Sequence, residues 1–110
     1  MNEEEEIEKI EKLFEYQEDI TLRTVNVMGY AAFLWLNSCL GILDFSMAMD
    51  NQSTQDVIMY GMLGAVNVGF CTFEVNKIVD NLKLRKESIK KFDTVLAELD
   101  ANERRKTIKR

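Results

Sequence analysis

The sequence predicts an all-α protein, a two-span transmembrane helical hairpin with an amphipathic helical extension at each end. Three observations lead there. Proline is absent and there are only five glycines, which favours long uninterrupted helices over turn-rich strand folds. Two apolar segments, roughly 25–48 and 56–75, are separated by the short polar run DNQSTQD. No Lys or Arg falls between Arg23 and Lys77, although 14 of the 110 residues are basic. The alternative is a soluble four-helix bundle, with the same two apolar helices hidden behind two amphipathic ones.

The chain is long enough for a single domain, 1–110. Its first element is an acidic amphipathic helix over 3–22. Ile7, Ile10, Leu13, Phe14 and Ile20 recur at helical spacing, and acids fill the remaining face. The glutamates crowd the N-terminal end, where the helix dipole favours negative charge. An acidic start does not read as a secretory signal or a mitochondrial transit peptide.

Each apolar segment reaches the roughly 20 residues that a bilayer span requires. Neither shows the charged face expected of a soluble amphipathic helix. The turn is assigned to 50–56, because Asn, Asp and Ser bond their own backbone there. Ser53 or Thr54 can cap the second apolar helix.

A basic amphipathic helix follows over 77–103, and 104–110 is a basic tail. Leu82, Ile89 and Leu96 share one heptad position, Phe92 and Leu99 the other, and Arg85 interrupts. The acidic and basic extensions stand antiparallel. They pair with each other, bringing Glu11 and Glu15 near Arg85, Lys86 and Lys90, or stay two independent solvated helices, or meet other subunits.

Charge is segregated along the chain. Residues 1–20 are net −7, residues 21–76 net −3 and residues 77–110 net +5, within an overall −5. Under the positive-inside rule the lack of Lys and Arg between Arg23 and Lys77 places both termini in the cytoplasm and the turn on the opposite side. The membrane itself is not specified. An acidic chain overall argues against a nucleic-acid partner.

The polar residues of the apolar segments are not scattered. Asn26, Tyr30, Phe33, Asn37, Gly41 and Asp44 share one face of the first helix. Tyr60, Gly64, Asn67, Cys71 and Glu74 share one face of the second. Gly61, Ala65 and Gly69 form a small-residue ladder beside it, of the kind that lets backbones approach in lipid. The expected helix–helix interface is therefore Asn37, Ser38, Gly41, Gly61, Gly64, Ala65, Asn67 and Gly69. Folding about the turn near Asn51 to Ser53 brings Ser38 level with Asn67, and Gly41 level with Gly64. Asn67 then bonds Ser38, Asn37 or a neighbouring subunit. Asp44 and Glu74 are candidate intramembrane acids, either lining an ion path or reaching the interface.

No catalytic, cofactor or metal-binding constellation is present in the sequence. There is no His, no CxxC and no Gly-rich phosphate loop. Cys39 and Cys71 read as small apolar core residues. The expected function is non-enzymatic: helix association, as a subunit or assembly factor of a membrane complex or as a homo-oligomer. The partners are then other membrane protein subunits or the chain itself, with the lipid bilayer. The alternatives are a holin-like pore or membrane-lesion former and a soluble helical interaction module.

Overall fold

The computed structural model describes residues 1–50 and 53–109. Among them there are two helices and no strand: α1, Glu3–Asp50, and α2, Thr54–Lys109. Asn51 and Gln52, the centre of the expected turn, lie outside the described residues.

Both helices start at identifiable caps. The Asn2 side chain accepts the backbone N–H of Glu5 at 2.9 Å, three residues ahead, as an N-cap does. Glu3, Glu4, Glu5 and Glu6 occupy the first turn of α1, where carboxylates favour the dipole. The Ser53 carbonyl accepts from Val57 N at 3.0 Å and opens α2.

The four helical segments expected from the pattern are two continuous helices. Hydropathy changes near residues 22–25 and again near 75–77, but the backbone there stays helical. A change of solvent along a helix is not a helix stop; that requires Pro, a C-capping Gly or a turn cluster. The tail assigned to 104–110 is likewise helical as far as Lys109.

The chain divides into two compact units: Met1–Val25 with Asn81–Arg110, and Asn26–Asp80. Each is an antiparallel helix pair. In the second unit the less exposed positions of α1 include Tyr30, Leu34, Asn37, Gly41, Asp44 and Ala48. Those of α2 include Tyr60, Gly64, Asn67, Cys71, Glu74 and Ile78. Their spacing alternates between three and four, the period of a coiled-coil seam.

The first unit follows the same rule. Its seam takes Glu6, Lys9, Leu13, Tyr16, Ile20 and Arg23 from α1. From α2 it takes Asn81, Arg85, Ser88, Phe92, Val95, Leu99 and Asn102. Phe92 and Leu99 are in this seam, with Arg85 in register, whereas Leu82, Ile89 and Leu96 flank it. The buried positions Asn81, Ser88 and Asn102 are polar, so hydropathy alone picks the neighbouring stripe.

Both helices contain a stretch long and apolar enough to cross a membrane, and almost none of either stretch is buried.

Candidate helix–helix interface

The second unit is held by amide–carboxylate pairs. Asn37 Nδ2 donates to Glu74 Oε1 at 2.6 Å. Asn67 Nδ2 donates to Asp44 Oδ2 at 2.7 Å. The two pairs are one heptad apart on each helix and reversed in polarity: α1 supplies the donor in one and the acceptor in the other. Between them the Ser38 hydroxyl lies 3.6 Å from Cys71 Sγ and also donates to its own helix at Leu34 O, 2.7 Å.

This register differs from a fold about the centre of the turn. Ser38 faces Cys71, one turn beyond Asn67, and Asn67 reaches Asp44 rather than Asn37 or Ser38. A carboxyl group left without a hydrogen-bond donor between two helices is costly. With two carboxylates and two asparagines on facing stripes, matching each acid to an amide satisfies more than an amide–hydroxyl layer does. Asp44 and Glu74 are thus inside the seam. Glu74 is 6 % exposed, and its Oε2 is buried without a hydrogen-bond partner.

The glycines divide by function. A Cβ on Gly64 would come within 2.7 Å of the Phe45 ring, so the ring fills the space that the missing side chain leaves. A Cβ on Gly41 would stand 3.4 Å from the Asn67 Cβ, an approach close enough to carry the Asn67–Asp44 layer. Gly61 and Gly69 would meet nothing within 4 Å, and Ala65 is exposed. Asn37, Ser38, Gly41, Gly64 and Asn67 are therefore brought together between the helices. The ladder Gly61, Ala65 and Gly69 stands outside that contact.

Beside the polar layers a cavity of about 420 Å³ opens between Ser38, Ile42 and Phe45 of α1 and Val68, Thr72 and Val75 of α2. Its walls are mostly apolar. Cys39 and Cys71 are free thiols. Among the described residues no three of His, Cys, Asp and Glu gather closely enough to hold a metal ion.

The first unit repeats the polar seam and adds cationic groups to it. Arg23 Nη1 donates to Asn81 Oδ1 at 3.2 Å, and Arg85 Nε donates to Thr24 Oγ1 at 2.9 Å. Arg23 Nε also stands 3.5 Å from Asp19 within α1. Ser88 donates to Asp19. Lys9 pairs with Glu98, and Glu6 takes bonds from both Asn102 and Lys106. The Lys106 hydrogen bond, joined by its charge and by Asn102, holds the Glu6 carboxyl below the usual carboxylate range. The sequence pattern did not single out this set. Its one available signal is the three–four recurrence of polar residues at 81, 85 and 88, with Asn102 two heptads beyond Ser88.

Comparison with models of known families, with characterised proteins and with solved structures found no match.

Proposed function

We propose that the second unit crosses a membrane as a helical hairpin and that the chain acts by helix association, without catalysis. It serves in this reading as a subunit or assembly factor of a membrane complex or as a homo-oligomer. One observation carries the reading: the second unit buries small and polar residues and leaves most of its large apolar ones outside. Among the described residues its buried ones are Gly41, Gly64 and Glu74, while Trp35 is 71 % exposed and Ile42 67 %. Burying one large apolar side chain is worth about 1.5–3 kcal/mol, so water is a poor solvent for this surface and hydrocarbon a good one. In hydrocarbon, facing Asn and carboxylate groups must find each other, which supports the paired layers as the glue.

The absence of bases between Arg23 and Lys77 supports a topology with both termini in the cytoplasm. Cysteines introduced at Gln52 and at Lys109 test it. An impermeant thiol reagent applied to intact cells should label the first and not the second. Equal labelling of both would refute the hairpin topology, and release of the chain by alkaline carbonate would refute membrane insertion. The pore-forming alternative draws less support, because the polar stripes face each other rather than a lumen.

A further inference from the structure

The two long edges of the first unit differ in chemistry. On one edge Glu15, Glu18, Asp19 and Leu22 of α1 line a groove with Leu84, Glu87 and Lys91 of α2. That edge is charged. The opposite edge carries Ile7, Ile10 and Phe14 on α1 and Leu82, Ile89 and Leu96 on α2. Five of these six are among the exposed large hydrophobics, and Phe14 is 63 % exposed. Charged residues surround this apolar edge, and it lies outside both apolar segments. Water rather than lipid is its solvent until a protein covers it.

We infer that the apolar edge of the first unit is covered by the same edge of a second copy of this chain, giving a four-helix bundle with its two-fold axis parallel to the helices. The inference rests on the helix-association reading above but not on membrane insertion. Charge selects both the partner and the axis. The outermost stripe of α1, opposite the seam and bordering both edges, runs through Glu4, Glu11 and Glu18 and holds no base. The corresponding stripe of α2 holds Lys83, Lys90 and Arg104. All six side chains are exposed. Asp93 and Asp100 interrupt the basic side, and Asp100 is already paired with Arg104 at 3.4 Å.

A two-fold axis parallel to the helices lays α1 of each copy on α2 of the other, acidic stripe on basic stripe. A two-fold axis across the helices would lay α1 on α1 and acid on acid, which like-charge repulsion opposes. The intrachain pairs Asp19–Ser88 and Glu6–Asn102 set the height of α1 against α2. At that height Glu18 comes level with Lys90 of the second copy, and Glu4 with its Arg104. The apolar edges supply the affinity and the charged rims the orientation. The parallel axis also points both copies the same way, as two hairpins inserted in one bilayer would have to point.

The test uses two differently tagged full-length chains, co-expressed, both with Cys39→Ala and Cys71→Ala. One carries Glu18→Cys and the other Lys90→Cys. Oxidation should yield the mixed disulfide in large excess over either like-with-like product. Dominance of the Glu18→Cys self-crosslink, or no crosslink between copies, would overturn the bundle. A second measurement keeps the native cysteines and reads the dimer fraction by native mass spectrometry. Glu18→Lys alone and Lys90→Glu alone should each lose dimer, and the two together in one chain should restore it. Loss without restoration would overturn the pairing. If carbonate releases the chain while the mixed disulfide still forms, the membrane reading fails and the bundle stands.

Discussion

Asn37 of α1 and Glu74 of α2 share a 2.6 Å hydrogen bond in which the amide donates to a buried carboxylate. The other oxygen of that carboxylate is buried without a partner, so Asn37 is the hydrogen-bond donor on which the acid depends. Asn37→Leu should destabilise the helix pair by about 1–3 kcal/mol, the cost of leaving a buried polar group unpaired. Glu74→Gln should cost less, because its carbonyl can still accept from Asn37. Denaturant titration of helicity in matched micelles checks the order, and equal losses would contradict it.

Asn67 bonds Asp44 at 2.7 Å in the neighbouring layer. Asn67→Leu removes that bond but also removes a polar group that disfavours an apolar environment. The expected loss is about 1 kcal/mol or less. Asp44→Asn should preserve the contact, since the new amide oxygen can accept the same bond. Double-mutant cycles on Asn67 and Asp44 should then return a coupling that is absent between Asn67 and Ser38.

Gly64 and Gly69 make a controlled comparison on one helix. Gly64→Leu must displace the Phe45 ring and push the helices apart, with an expected cost of about 1–3 kcal/mol. Gly69→Leu enters open space and should leave the hairpin nearly unchanged. Gly64→Ala is the mild case, because Phe45 is partly exposed and its ring can rotate away. Thermal scans of the three variants check the ranking.

The Glu6 carboxyl, held low by Lys106 and Asn102, makes the ends of the first unit acid-sensitive. A group whose pKa is depressed by folding adds stability above its unfolded pKa and loses it as pH falls through the folded one. Amide protection factors at the start of α1 and the end of α2, taken relative to the intrinsic exchange rate at each pH, should therefore fall on acidification below the ordinary glutamate range. Glu6→Gln should weaken this response, and an unchanged pH dependence in that variant would assign it to other carboxylates.

The all-helical class was legible in the sequence from the lack of proline and the long periodic runs. So were the polar stripes through Asn37, Gly41 and Asp44 and through Gly64, Asn67 and Glu74, because helical periodicity alone assigns residues to a face. Which residue meets which was not legible. Register depends on how two faces satisfy each other's hydrogen bonds, a property of the pair rather than of either helix. Only the tertiary structure matched Asn37 to Glu74 and Asn67 to Asp44. It also separated Gly64, packed under Phe45, from Gly61 and Gly69, which face open space. In the first unit hydropathy pointed to Leu82, Ile89 and Leu96, yet Asn81, Ser88 and Asn102 occupy the seam. Complementary donors and acceptors on α1 make those polar positions the better ones to bury, and the apolar stripe is left on the outside.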